Sequence, residues 1–148
     1  MASEDKVFGF DAAEDSTGFL LWQVTNTWQR EIRKALEPFA ITHSQFVLLA
    51  SVSWLTGLGS PVTEVLLSDH SKIDPMTTST VLRTLQKKGL VLRQEHETDT
   101  RAKTVALTAA GESLVKQAVA TVERFDHDFF SRLGAEINGF NRQLSSLL

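Results

Sequence analysis

Residues 72–108 read KIDPMTTSTVLRTLQKKGLVLRQEHETDTRAKTVALT. Asp74 is a ready N-cap and Pro75 fits the first helical position, where a missing N–H costs no hydrogen bond. The helical period then runs to Gly89, which ends it. Thr78, Val81, Leu82 and Leu85 fall at i, i+3, i+4 and i+7, so they share one face for burial. The opposite side carries Met76, Thr77, Thr80, Arg83, Thr84 and Lys87, with Ser79 on its flank. Past Gly89 the period drops to two, and residues 90–95 and 104–107 read as strands. Thr98-Asp99-Thr100 between them is turn chemistry, because these side chains bond their own backbone.

A helix with small hydroxyls and one arginine outward, followed by a basic-tipped ribbon, is the pattern of a winged helix-turn-helix. Small hydroxyls permit close approach to a duplex, whereas a face built for solubility carries Glu and Lys. The expected fold class is therefore mainly α with a small β-hairpin wing.

Earlier in the chain, residues 17–36 form a helix with Leu21, Val24, Trp28, Ile32 and Leu36 near helical spacing, ended by Pro38. Thr42 caps a second helix that stops at Gly57-Leu58-Gly59. A short third helix follows Pro61. Thr108 caps a long helix through residue 133, with Leu114, Val115, Ala118, Val122, Phe125, Phe129 and Leu133 as its apolar stripe. Gly134 interrupts, and residues 135–148 make a last helix with Ile137, Phe140, Leu144 and Leu147. Trp22, Trp28 and Trp54 are core candidates by default. The terminal helices carry more apolar surface than a small head covers, which points to a homodimer joined through the chain termini.

With 148 residues the chain is long enough for one domain with a real core. The absence of cysteine removes disulfides, thiol nucleophiles and cysteine-based zinc sites. No Gly-rich phosphate loop, nucleophile elbow or paired metal-ligand motif is present, so no enzyme is expected. His43, His70, His96 and His127 fall on different elements, and neither a metal nor another cofactor is expected. There is no signal-peptide pattern and no apolar run near the roughly 20 residues a membrane span needs, so a cytoplasmic protein without a membrane partner is expected. The net charge of −3 is unevenly spread. The first 18 residues hold five acids against Lys6, whereas residues 75–103 hold six bases against three acids. The basic excess lies in the segment that reads as a nucleic-acid head, where distribution matters more than the total.

The motifs resemble the MarR family of winged-helix transcriptional regulators from about Gly18 onward. They are Leu85-Gln86-Lys87-Lys88-Gly89-Leu90-Val91, then Asp99-Thr100-Arg101, then Val105-Ala106-Leu107-Thr108-Ala109-Ala110-Gly111. Thr42 to Leu49 matches the family's T-x-x-Q-F-x-x-L opening of helix two. The resemblance implies one domain over residues 1–148. Residues 1–40 and 109–148 form the helical dimerisation region, and 41–108 the DNA-binding region. It implies a homodimer on double-stranded DNA, with a palindromic operator, acting as a repressor released by a small-molecule effector. Two positions depart from the family pattern. Ser71 stands where an apolar residue is common and is expected to loosen the turn before the recognition helix. Met76 stands where serine is frequent and suits a thymine methyl or local packing.

On this reading Arg83 contacts a base or phosphate; a bidentate arginine–guanine pair discriminates by about 1–3 kcal/mol. Thr77, Ser79 and Thr80 bond bases or phosphates near the helix N-terminus, and Met76 and Lys87 complete the face. Arg101 enters the minor groove, Asp99 holds the turn and orients it, and Arg93 and Lys103 meet phosphates. The plain alternative for each base is surface solubility, and for the hydroxyls helix capping. Trp22, Asn26, Arg30, His43 and Phe46 are the candidate ligand pocket, suited to a small aromatic anion. A winged-helix protein-interaction module without DNA binding is the competing function.

Overall fold

The computed structural model describes residues 6–95 and 103–148. Helix α1 (Thr17–Leu36) leads through a 3-10 turn (Glu37–Phe39) to α2 (His43–Gly57), α3 (Glu64–Ser71) and α4 (Pro75–Lys87). Strands β1 (Val91–Glu95) and β2 (Lys103–Leu107) follow, then α5 (Ala109–Phe129), a kinked 3-10 stretch (Ser131–Glu136) and α6 (Ile137–Ser145). The two strands pair antiparallel in the register Val91↔Leu107, Arg93↔Val105 and Glu95↔Lys103. The Val105 N–H also donates to the Val62 carbonyl at 2.8 Å, so the segment before α3 braces the wing.

The motifs of the sequence are hydrogen-bonding devices. Thr42 and Gln45 form a reciprocal capping box, the Gln45 N–H donating to Thr42 Oγ1 at 3.2 Å and the Thr42 N–H to Gln45 Oε1 at 3.1 Å. Gly89 takes a left-handed φ of 74°. The Leu90 N–H reaches the Leu85 carbonyl and the Gly89 N–H the Gln86 carbonyl, each at 3.0 Å, closing α4 as a Schellman motif. Leu85 and Leu90 are both buried there, which supplies the motif's apolar contact. Thr108 then donates to the Gly89 carbonyl at 2.6 Å and accepts from the Gly111 N–H at 3.0 Å. A Cβ at Gly111 would lie 2.1 Å from the Leu90 carbonyl oxygen, so glycine is required for this close approach of α5 to the end of α4.

The core gathers Ile32, Leu36, Leu48, Leu49, Val52, Leu67, Leu82, Leu85, Val91, Val105, Val115 and Val122. Each fully buried aliphatic side chain contributes about 1.5–3 kcal/mol of transfer free energy. Thr78 is buried with them, and its hydroxyl and that of Ser68 both donate to the Ile73 carbonyl, at 3.2 and 2.6 Å. These bonds fix the turn between α3 and α4. Ser71 tightens the same turn and does not loosen it: its Oγ accepts from the Ile73 N–H at 3.2 Å.

Two other expectations change. Trp22 and Trp54 are 66% and 65% exposed, so only Trp28 of the three tryptophans approaches the core. Leu21 and Val24 are exposed as well, because α1 buries only Ile32 and Leu36 in its last turns. The long helix ends at Phe129, before the expected residue 133, and Gly134 turns the chain with φ 53° and ψ −130°. No single helix among the described residues is long and apolar enough to cross a membrane.

Candidate nucleic-acid interface

Helix α4 presents the expected face. Asp74 Oδ1 accepts from the Thr77 N–H at 2.8 Å, and hydrogen bonds from the Thr77 side chain and backbone hold the Asp74 carboxyl below its ordinary range. The cap therefore stays ionised. Thr78, Leu82 and Leu85 face inward, and Met76, Thr77, Thr80, Arg83, Thr84 and Lys87 are exposed. Met76 is 81% exposed, so it projects from the first turn and does not pack locally. The Thr80 hydroxyl donates to the Met76 carbonyl at 3.0 Å and that of Thr84 to the Thr80 carbonyl at 3.3 Å. With their protons turned into the helix, both oxygens offer lone pairs outward. The face thus combines hydroxyl acceptors, one apolar tip and two cations.

The C-terminal end of α4 is tied to the start of α2. Lys88 Nζ donates to the Ala40 carbonyl at 2.6 Å and to Gln45 Oε1 at 3.3 Å. The helix is therefore held at both ends, by the Ile73 turn and by this lysine.

The wing gives a mixed result. Lys103 is exposed at the start of β2. Asp99 and Arg101 lie outside the described residues. Arg93 is placed differently from the expectation of a phosphate contact. Its side chain is 10% exposed, and its guanidinium meets Glu64 in a bidentate pair with a shortest distance of 2.9 Å. The alternating strand turns it toward α3, on the side of Val91. Sequence reasoning missed Glu64, whose one visible signal was an acid in the first turn of a short helix.

The candidate pocket residues do not converge. Trp22, Asn26 and Arg30 are exposed on α1, Asn26 Nδ2 bonding the Trp22 carbonyl at 2.7 Å, and Phe46 is buried in the core. His43 instead meets Trp28, which was left out of the candidate pocket and which in turn bonds Asp126. Its ring lies edge-on to Trp28 with centroids 5.1 Å apart, and Trp28 Nε1 donates to Asp126 Oδ1 at 2.8 Å. Burial lowers the His43 pKa, opposed by the charge of Asp126 and reinforced by that of Arg33. Burial raises that of Asp126, opposed by the Trp28 hydrogen bond and by His43. This cluster joins α1, α2 and α5. A cleft of about 580 Å³ opens beside it, lined by Glu123, Asp126, His127, Phe130 and Asn141 among others. Among the described residues no group of His, Asp and Glu is arranged to hold a metal ion.

Residues 37–124 match the family model described as the ArnR1-like winged-helix domain. The chain is 42% identical to the Bacillus subtilis HTH-type transcriptional regulator YdcH over 82% of its own length and 83% of that protein's. It is 34% identical to the Mycobacterium tuberculosis HTH-type transcriptional repressor Rv2887, over 88% of this chain and 91% of the other. Among solved structures it superposes with TM-score 0.78 on a single-residue mutant of MarR from Escherichia coli in complex with operator DNA, at 26% identity, covering 88% of this chain and 92% of that one. It also superposes on Rv2887 in complex with p-aminosalicylic acid, with TM-score 0.66 and 32% identity over 89% of this chain and 98% of that one. The fold and the reading face define a winged-helix protein. The chain belongs to the MarR family of winged-helix transcriptional regulators.

Proposed function

We propose that this protein is a homodimeric, sequence-specific DNA-binding repressor that releases its operator when a small ligand binds. The observation that carries this reading is the outward face of α4. Met76, Thr77, Thr80, Arg83, Thr84 and Lys87 stand exposed on a helix fixed at both ends. Each α4 enters a major groove, with half-sites about one helical turn, roughly 34 Å, apart on a palindromic operator. Arg83 and Lys87 supply charge, Thr77, Ser79 and Thr80 hydrogen bonds, and Met76 an apolar tip for a thymine methyl. Lys103 and Arg101 extend the contact along the wing, with Asp99 holding the turn. The operator-bound MarR structure supports the DNA partner, and the name of Rv2887 supports repression.

The dimer reading rests on the chain ends. Phe19, Leu20, Leu21, Trp22 and Val24 of α1 are at least 40% exposed, and Leu147 and Leu148 are more so. A groove of about 320 Å³ between α1 and α6 is lined by Leu21, Val24, Ile137, Phe140 and Leu144 among others. A second copy covers this surface, which is also continuous with the aromatic run Phe125, Phe129, Phe130 and Phe140.

The effector reading is supported by Rv2887, whose structures hold p-aminosalicylic and salicylic acid. In this chain the effector acts near His43 and Trp28, where α1, α2 and α5 meet. Ligand binding shifts the population of head positions only through unequal affinity for the two states.

Selection of duplexes from a random pool by the full-length protein tests the reading. An enriched palindrome, with release on adding an aromatic carboxylate such as salicylate, is the expected result. An unenriched pool would contradict it and favour a protein-interaction module.

A further inference from the structure

One guanidinium fastens the wing to both helices beside it. Arg93 Nε donates to Glu64 Oε2 at 3.1 Å, and Nη2 donates to Oε2 at 2.9 Å and to Oε1 at 3.1 Å. The same Nη2 reaches Ser79 Oγ at 3.4 Å, on the flank of the α4 reading face. Arg93 lies on β1, Glu64 in the first turn of α3, and Ser79 on α4. The pair is mostly withdrawn from water, its side chains 10% and 16% exposed. A bidentate arginine–carboxylate pair has one preferred geometry, which a lysine ammonium cannot reproduce. It therefore specifies an angle between elements as well as an attraction. Ser79 accepts in this network, which leaves its own proton to donate elsewhere.

We propose that Glu64 and Arg93 are positioning residues for DNA recognition: the pair sets the wing against α4 and does not itself touch the duplex. This inference rests on the DNA-binding reading above, and it removes Arg93 from the phosphate contacts. Removing an acid beside a DNA-binding surface ordinarily tightens binding by reducing repulsion, whereas here the carboxylate is needed as much as the arginine.

The test titrates the full-length protein against its best selected duplex across a salt series. The variants are Glu64→Gln, Arg93→Gln, their double and Arg93→Lys. Each Gln single is expected to weaken binding about tenfold, and the double about tenfold as well, because contacting residues couple. All should keep the wild-type salt slope, and Arg93→Lys should recover only part of the loss. In the free protein, amide exchange in β1 and β2 should quicken in every variant. A salt slope reduced by about 0.9 per head in Arg93→Gln, with Glu64→Gln neutral or tighter, would overturn the proposal and make Arg93 a phosphate contact. Unchanged exchange in the strands would overturn it too. A wild-type protein that selects no duplex, with exchange still quickened in the variants, would defeat the DNA-binding reading and the pair's role in recognition, while leaving the wing clip standing.

Discussion

The reading head and the chain ends solve the problem of apolar surface differently. In the head, α2, α3, α4, the wing and the first half of α5 bury Leu48, Leu49, Leu67, Leu82 and Leu85 completely. Its turns are closed by named bonds at Ile73, Gly89 and Thr108. At the ends, α6 buries nothing fully and α1 buries only Ile32 and Leu36. The head is a finished core within one chain. The ends carry an amphipathic surface left exposed in the single chain, the surface proposed above for a second copy. Stability of the head should therefore depend on packing, and that of the ends on concentration.

The largest expected effect tests the head. Leu82→Ala empties a site with no exposure and should cost about 2–5 kcal/mol in chemical denaturation, whatever the protein concentration. Next, Leu21→Glu puts a charge on the groove between α1 and α6. It should weaken self-association, read by sedimentation, by the equivalent of about 1.5–3 kcal/mol, leaving near-ultraviolet circular dichroism of the head unchanged. Were unfolding of Leu82→Ala strongly concentration-dependent, or self-association of Leu21→Glu unaltered, the division between head and ends would fail. Thr108→Ala removes the joint cap at Gly89 and Gly111 and should cost about 1 kcal/mol in thermal unfolding.

The smallest effect concerns pH at the junction of the two regions. The folded pKa of His43 lies below its ordinary 6.5. As pH falls through 6.5 the unfolded chain takes up the proton first, so stability is present above that value and declines as the solution becomes more acid. Asp126 acts in the opposite sense at lower pH, because its raised pKa favours the protonated folded form. His43→Gln should therefore flatten the decline below pH 6.5 in thermal unfolding. A variant with the wild-type pH profile would show that His43 carries no such linkage.

Much of the head is legible in the sequence because its determinants are local. Asp74-Pro75, Gly89 and Thr108 mark the ends of elements through bonds spanning a few residues. The i, i+3, i+4, i+7 spacing assigns Thr78, Val81, Leu82 and Leu85 to one face. The network around Arg93 was not legible, because Glu64 lies 29 residues away and strand alternation alone does not say what an inward arginine meets. The bond from Trp28 to Asp126 spans 98 residues, so spacing within α1 and α2 gives no sign of the partner on α5. Trp22 and Leu21 show a related gap. Periodicity identifies an apolar stripe but not whether its own chain covers it, and α1 outruns the core beyond Trp28 toward its N-terminus. Ser71 is polar where an apolar residue is common, and family pattern alone does not show that its Oγ accepts from the Ile73 N–H.

Base reading by the exposed face of α4 carries the proposed function. Its most direct test is fluorescence anisotropy of wild-type and Arg83→Ala protein on a selected duplex and on duplexes with single base changes across each half-site. Arg83→Ala is expected to lose about 1–3 kcal/mol of discrimination at one position per half-site and to keep it at the others. Equal weakening on every duplex, with a shallower salt slope, would make Arg83 a phosphate contact and contradict base reading by this residue.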